Sequence, residues 1–274
     1  MLLDYKIDNF ESWYHVRMGS LGVMYDKLEG SLIDTTTLPY DAYEDRPEYQ
    51  VGRTIFYLEE HSLDELAEIY LTLLEGIMLI KTTESCKTLD EAKAKLASKN
   101  DQLLARMKYT ADWLRSTDFF YAPASSQYHD AEPGGLLKHS LRVYNNILEL
   151  MKVDKFNKVD VASAALVALV HDWCKIDMYE VYQKNVKDET TGQWHKEDAY
   201  RTNQKGVPLG HGVASMFLAQ KLFSLTTEEC LAIRWHMGAW RVCDQEMNEM
   251  QKSNEKFPLV HLLQFADQLS IVDY

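Results

Sequence analysis

The segment that most constrains this 274-residue chain is an apolar run that leads directly into a histidine and an aspartate. Residues 164–170, Ala-Ala-Leu-Val-Ala-Leu-Val, are apolar on every face of a helix, which predicts a helix buried on all sides. His171 and Asp172 follow without a break. An unpaired carboxylate buried at this point would cost several kcal/mol or become protonated. The pair therefore needs a polar partner within the core.

Further histidines and a second aspartate stand beside apolar helical stretches in a fixed order. Imidazoles and carboxylates can share one partner, a metal ion, which satisfies buried groups of both kinds. Adjacent helical side chains diverge by roughly 100°, so His171 and Asp172 could bind one ion from either side of a groove between helices. Asp172 could also bridge two ions. The predicted metal ligands are His139, His171, Asp172, His211, His236 and Asp267.

These residues and their neighbours resemble the HD-domain superfamily of metal-dependent phosphohydrolases. The resemblance runs from about residue 119 to the C-terminus, a little over half of the chain. It rests on five motifs, which are GGLLKH at 134–139, HDWCK at 171–175, GHG at 210–212, RWHMG at 234–238 and Ala266-Asp267. The resemblance implies a helical HD domain that binds one or two divalent metal ions.

The resemblance also divides the ligands between two ions. In the family, the HD dipeptide, a flanking histidine and a late aspartate hold one metal, and two extra histidines accompany a second. The first ion would be held by His139, His171, Asp172 and Asp267. The second would be held by Asp172, His211 and His236. Nitrogen and oxygen ligands without thiolate suit Mn, Fe, Ni, Co, Zn or Mg, and the sequence does not choose among them.

The predicted ligand set favours phosphoester hydrolysis, because a metal ion supplies an activated hydroxide and polarises phosphate oxygens. Asp172 would be the bridging group. Lys175 follows one helical turn after the histidine of the HD pair, and we expect its ammonium to contact a phosphate oxygen. His129, in a loop-like stretch, is a candidate for substrate contact or general-acid catalysis. Lys138 and Arg234 are further candidates for substrate binding.

Three functions remain open from the sequence. The first is a phosphodiesterase or phosphatase that acts on a nucleotide or short oligonucleotide. The second is a 3′-to-5′ exonuclease on single strands, because residues 122–139 resemble the lead-in to the HD domain of bacterial OB-fold exoribonucleases. No OB-fold is recognisable ahead of this region, which weighs against that alternative. The third is a nucleotide-binding sensor without turnover, against which the intact ligand set weighs.

Composition limits the partners and the location of the chain. The net charge of −13 repels phosphate-rich polymers, so we expect no extended binding of duplex nucleic acid, although a small nucleotide held by a metal is compatible with it. No apolar stretch reaches membrane-spanning length, and Asp4 and Asp8 lie where a signal peptide needs a basic region. We therefore expect a cytoplasmic protein without a membrane partner. The four cysteines form no CxxC pair and are predicted to be reduced core residues.

The predicted fold is mainly α, an HD-domain helical bundle with a small inserted β-hairpin and a helical N-terminal region. Capping boxes at Ser62, Thr88 and Thr226 predict helices that reach Ile80, Arg115 and the neighbourhood of Gly238. Two more helices are predicted over residues 134–151 and about 258–271.

The hairpin is predicted over residues 178–201, where alternating residues precede a turn at 190–192. Residues 1–60 carry no clear pattern. We divide the chain into an N-terminal region of unknown role, residues 1–115, which is largely helical after residue 62, and an HD domain, residues 116–274.

Overall fold

The computed structural model describes four N-terminal strands by their backbone, and then residues 55–203, 208–240 and 242–271. The strands are β1 (His15–Met18), β2 (Val23–Asp26), β3 (Ser31–Asp34) and β4 (Glu48–Tyr49). They form one sheet in the order β3-β2-β1-β4, in which β1 is antiparallel to β2 and parallel to β4. The sequence pattern had left this segment unassigned.

The rest of the described chain is mainly helical, which confirms the predicted fold class. The helices are α1 (Leu63–Thr83), α2 (Leu89–Arg115), α3 (Gly135–Leu150), α4 (Val161–Val170), α5 (His211–Leu222), α6 (Thr227–Trp235), α7 (Asp244–Lys256) and α8 (Pro258–Ser270). None of the helices in the described part is long and apolar enough to cross a membrane.

Two of the three predicted capping boxes form, and they fix where α1 and α6 begin. At α2, Thr88 accepts from the Glu91 amide, but the Glu91 carboxylate accepts from the Lys87 amide and not from Thr88. The Ser62 hydroxyl accepts a hydrogen bond from the Glu65 amide, and the Glu65 carboxylate accepts one from the Ser62 amide at 2.7 Å. Thr226 and Glu229 repeat this exchange at α6, where the returning bond is also 2.7 Å. Each box satisfies amides that a helix start leaves unpaired, which confirms both predicted starts.

The predicted hairpin is also confirmed. It consists of β5 (Tyr179–Lys187) and β6 (Trp194–Thr202), which pair antiparallel from Tyr179 with Thr202 to Lys187 with Trp194. At its tip the Asp188 carboxylate accepts hydrogen bonds from two turn amides, and Gly192 adopts a φ of 71°, which a residue without a Cβ tolerates. The hairpin therefore leaves the bundle directly after the HDWCK motif.

Helix α4 is the centre of the bundle. Its residues 164–170 are all fully buried, as the uninterrupted apolar run predicts. Helices α1, α3, α6 and α8 surround α4, so the residues that follow its last turn emerge inside the core. This placement brings His171 and Asp172 to the middle of the protein.

Helix α1 packs in the same core and is joined to the end of α4 by hydrogen bonds. The Tyr70 hydroxyl donates to the Leu169 carbonyl at 2.5 Å and accepts from the Trp173 indole N–H at 2.8 Å. Lys81 of α1 also pairs with Glu229 of α6, whose side chain is fully buried. The division of the chain at residue 115 stays a prediction, but α1, on its N-terminal side, supports the backbone around His171.

Replacing Tyr70 by Phe tests this support. The variant leaves the buried Leu169 carbonyl and the Trp173 N–H without partners, and we expect the free energy of unfolding to fall by about 2 kcal/mol. Tyr109→Phe is the matched control, because that side chain is exposed on α2. Chemical denaturation of both variants checks the expectation, and equal stability of the two would contradict the packing of α1 described above.

Candidate metal centre

Six side chains from five segments meet at the end of α4, and we call them the ligand cluster. His139 comes from α3, and His171 and Asp172 follow the last turn of α4. His211 is the first residue of α5, and His236 directly follows α6. Asp267 lies in the last turn of α8. The structure thus brings together all the residues that the sequence predicts as metal ligands, His139, His171, Asp172, His211, His236 and Asp267.

The chain changes direction at the HD pair. His171 keeps helical backbone angles, but Asp172 leaves them at φ −108° and ψ 17°, and a short 3-10 helix follows over Trp173–Lys175. This turn places the Lys175 ammonium 2.6 Å from Asp172 Oδ2. The lysine is therefore beside the ligand cluster, as the sequence predicts, and forms an ion pair with its central carboxylate.

A glycine allows α5 to approach α6 closely enough for His211 to join the cluster. A Cβ on Gly212 would lie 2.2 Å from the Arg234 carbonyl oxygen, so any side chain at this position would clash with α6. The imidazole rings of His211 and His236 consequently lie 5.2 Å apart, measured between ring centroids. The second glycine of the GHG motif, Gly212, therefore allows the close packing of α5 on α6.

Asp172 presents one oxygen to each of two groups of histidines. Its Oδ2 lies 3.3 Å from His139 Nε2 and 3.6 Å from His171 Nε2. Its Oδ1 lies 2.6 Å from His211 Nε2 and 3.5 Å from His236 Nε2. A carboxylate whose two oxygens face different sets of nitrogens has the geometry of a bridging ligand.

Asp267 joins the first of these groups. Its Oδ1 lies 3.2 Å from His139 Nε2 and 3.7 Å from His171 Nε2. Ligand atoms of His139, His171 and Asp267 all lie within 4.8 Å of one another, as do those of His171, Asp172 and His236. The two sets share His171. A third set of the same compactness is formed by Asp172, Cys174 and His211, so the cluster can surround an ion in more than one way.

The hydrogen bonds of the Nδ1 atoms, on the side of each ring away from the cluster, fix the orientation of the imidazoles. His171 Nδ1 lies 2.8 Å from the Ala168 carbonyl, and His236 Nδ1 lies 2.7 Å from the Ile233 carbonyl. A carbonyl oxygen only accepts, so Nδ1 carries the proton in both residues. The Nε2 atom of each neutral ring therefore points into the cluster as a lone pair.

His139 is held in the same tautomer by a hydroxyl. The Ser270 hydroxyl donates to the Asp267 carbonyl at 2.6 Å and is therefore left to accept from His139 Nδ1 at 3.1 Å. His139 Nε2 then faces His171 Nε2 at 3.2 Å. Two lone pairs at this distance repel each other unless a proton or a metal cation lies between them.

His236 provides a second indication that a cation fits the cluster. Its Nε2 atom is buried and has no hydrogen-bond partner among the described residues. Buried polar nitrogens are rarely left unpaired in proteins, because the loss of hydration is costly. Imidazole lone pairs and carboxylates are suitable ligands for divalent transition metals, so the residues present fit such an ion.

The electrostatics of the cluster favour positive charge at its centre. Burial raises the pKa of Asp172, but the positive charge of Lys175, helped by the neighbouring His171 and His211, outweighs burial and holds this pKa well below its usual range. Burial likewise raises the pKa of Asp267, and its contacts with His139 and His171 more than offset the rise. Both carboxylates are therefore ionised at neutral pH.

The same carboxylates affect the histidines unequally. Burial lowers the pKa of His139 and of His236, but the nearby carboxylates of Asp172 and Asp267 outweigh burial, so both values are raised. Burial prevails at His171 and lowers its pKa. Protons and a metal cation would therefore compete for the same Nε2 atoms.

The three remaining predicted site residues lie at different places. The His129 ring is 5.3 Å from the His139 ring, and burial together with the charges of His139 and Lys175 lowers the His129 pKa. Lys138 forms an exposed ion pair with Glu132 at 2.6 Å. The Arg234 guanidinium stacks 4.2 Å from the Trp235 ring centre and pairs with Glu249 at 3.3 Å.

Sequence reasoning missed two residues that orient the histidines. Cys174 was predicted as a core thiol, but its sulfur lies 3.3 Å from His211 Nδ1. Burial raises the pKa of this thiol to about 12, so it stays protonated. Its position two residues after Asp172 could have indicated the contact. The contact of Ser270 with His139 had no comparable signal beyond a position three residues after Asp267.

Comparison with known proteins supports the resemblance in its coarser form. Residues 136–271 match the family model described as HD domain. That match supports placing this part of the chain in the HD-domain superfamily, whose members are typically metal-dependent hydrolases. No curated protein and no solved structure matches the chain, so the similarity to exoribonucleases finds no support from relatives.

Metal analysis of single variants tests the bridging geometry. We expect Asp172→Ala to lose both ions, because each ion would lose an oxygen ligand, whereas His236→Ala should lose only the second. Asp154→Ala, an exposed aspartate, is the matched control. Inductively coupled plasma mass spectrometry gives the metal content, and circular dichroism verifies that each variant is folded. Full metal content in folded Asp172→Ala would show that Asp172 is not a ligand.

Proposed function

We propose that this protein is a metal-dependent phosphodiesterase or phosphatase that acts on a nucleotide or a short oligonucleotide. One observation carries the proposal: imidazole lone pairs and two ionised carboxylates converge on a single centre, beside a lysine ammonium. When bound there, a divalent ion would polarise phosphate oxygens and make a bound water more acidic. The match to the HD domain gives independent support.

The proposed ligands fall into two groups, one for each carboxylate oxygen of Asp172. Asp172 Oδ2 would serve one ion with the first group, and Asp172 Oδ1 would serve the other ion with the second group. The first group is His139, His171 and Asp267, and the second is His211 and His236. The histidines are held for this task by the carbonyls of Ala168 and Ile233 and by Ser270.

Exposure of the side chains indicates where a substrate would enter. Those of His139, His171 and His236 are at most 1% exposed, whereas His211 is 28% exposed and Asp267 14%. The cluster is therefore most open to solvent at His211. A phosphate group would approach there.

Lys175 is the residue that we assign to the phosphate. Burial lowers the Lys175 pKa, but the adjacent Asp172 carboxylate raises it by more than burial lowers it, so the ammonium stays charged. Its side chain is 10% exposed, which leaves part of it accessible to a ligand. A charged donor fixed beside the reacting group stabilises negative charge that develops on phosphate oxygens. Lys175 would thus stabilise the transition state and neutralise Asp172 between turnovers.

His129, Lys138 and Arg234 have supporting roles in this proposal. The lowered pKa of His129 makes the imidazole neutral at pH 7, so it can hold a substrate oxygen or accept a proton, and it acts as a general acid only after protonation. Lys138 and Arg234 already pair with Glu132 and Glu249. A substrate phosphate would have to share these cations with their carboxylates.

A hydrolysis assay with metal-loaded protein tests the proposal. We expect slow hydrolysis of bis-p-nitrophenyl phosphate and faster hydrolysis of at least one nucleotide in a panel of cyclic dinucleotides, nucleoside phosphates and single-stranded RNA and DNA. Lys175→Ala should lower kcat by about 100-fold and retain its metal, because the lysine donates to phosphate. The exposed Lys152→Ala serves as control.

The other outcomes of the assay separate the alternatives. Stepwise shortening of single strands from the 3′ end would identify an exonuclease. Tight nucleotide binding by metal-loaded protein, with no hydrolysis of any phosphoester in the panel, would contradict the enzyme proposal and identify a sensor. Loss of the metal from Lys175→Ala would show that the lysine supports the ligand cluster and would contradict its assignment to phosphate.

A further inference from the structure

A pocket of about 360 Å³ adjoins the ligand cluster and shares His211 with it. We call it the Trp240 pocket. Its walls come from the segment before α5, from the end of α6 and from the start of α7, and they include Leu209, His211, Arg234, Met237, Trp240 and Glu246. Because His211 is the most exposed residue of the ligand cluster, a molecule in this pocket would lie next to the entrance described above.

The pocket exposes apolar surface that folding alone does not explain. The side chain of Trp240 is 68% exposed, Leu209 is 41% exposed and Met237 is 39% exposed. Large apolar side chains gathered in one concave place indicate a binding site more often than isolated ones do. An indole ring presents a flat face on which another planar ring can stack.

The polar groups of the pocket argue against a bare phosphate as its occupant. Arg234 is the cation among the described lining residues, and Glu249 lies 3.3 Å from it, with Glu246 at 3.9 Å. Its positive charge is therefore balanced by carboxylates. Glu246 keeps 44% of its side chain exposed and can accept hydrogen bonds from a ligand.

These features fit one chemical group, a flat heterocycle with N–H donors on its edge. We propose that the Trp240 pocket binds the base of the nucleotide whose phosphate lies at the ligand cluster. The inference rests on the function proposed above and specifies its substrate class. The pocket lies at the lower end of the volume range of ligand sites, roughly 300–1,000 Å³, so it accommodates one nucleoside and not a longer strand.

Calorimetric titration with nucleosides tests the proposal without turnover, because these probes lack phosphate. The full chain as purified is titrated with adenosine, guanosine, cytidine, uridine and ribose. We expect at least one nucleoside to bind at least about fivefold more tightly than ribose, and Trp240→Ala to remove that advantage, because stacking on an aromatic ring contributes affinity of this order.

Trp194→Ala is the matched control. Trp194 is 69% exposed, as Trp240 is, but lies at the tip of the hairpin, at the opposite end from Tyr179 and Thr202. This variant should bind nucleosides as the unmodified chain does. Equal loss in both variants would overturn the proposal, as would unchanged binding by Trp240→Ala or a failure of every nucleoside to exceed ribose.

The outcomes also distinguish this proposal from the proposed function. Nucleoside binding that depends on Trp240, in a protein that hydrolyses no phosphoester, would support the pocket and contradict the enzyme. Hydrolysis of bis-p-nitrophenyl phosphate, together with nucleoside binding that does not depend on Trp240, would support the enzyme and overturn the pocket.

Discussion

The ionised carboxylate of Asp172 lies in the apolar centre of a helical bundle, and the groups around it are arranged to compensate its charge. The residue is only 2% exposed, and a buried charge needs paired partners. The Lys175 ammonium lies 2.6 Å from Oδ2. Both oxygens also face imidazole nitrogens, and three of the four histidines direct an Nε2 lone pair into the cluster. These lone pairs and carboxylate oxygens repel one another unless a proton or a metal cation lies between them.

The fold prepares the histidines by one local arrangement used twice. His171 and His236 each follow the last turn of a helix, and each donates its Nδ1 proton to the carbonyl three residues earlier. The last carbonyls of a helix lack intrahelical partners, so this bond satisfies them and fixes the ring at the same time. His139 lies within α3 and depends on Ser270 of α8 for the same purpose. The tautomers of His171 and His236 thus follow from where α4 and α6 end.

The helical part of the fold was predictable because its signals are local. Capping boxes, apolar periodicity and the alternation before the hairpin turn act over a few residues, and the structure confirms the elements they indicated. The sheet of β1 to β4 was not predicted, because its strands are only two to four residues long. Short strands without regular alternation leave little pattern to detect.

The candidate site was predictable in its residue types and order, but not in its orienting contacts. The six candidate ligands stand out because histidines and aspartates are unusual beside apolar helices. The bond of Ser270 to His139 joins residues 131 apart and depends on long-range packing that no spacing reveals. The two-sided use of Asp172 also follows from the backbone turn after α4, which a continuous helix would not produce.

Anomalous X-ray scattering from crystals grown with manganese would locate the ions themselves at the ligand cluster. We expect anomalous density about 2 Å from the Nε2 atoms of the ligand cluster, with Oδ2 of Asp172 contacting one ion and Oδ1 the other. Ions bound through Nδ1 atoms, or ions that do not contact Asp172, would contradict a bridging Asp172. Manganese density elsewhere in the crystal, with none at these nitrogens, would contradict the metal centre itself.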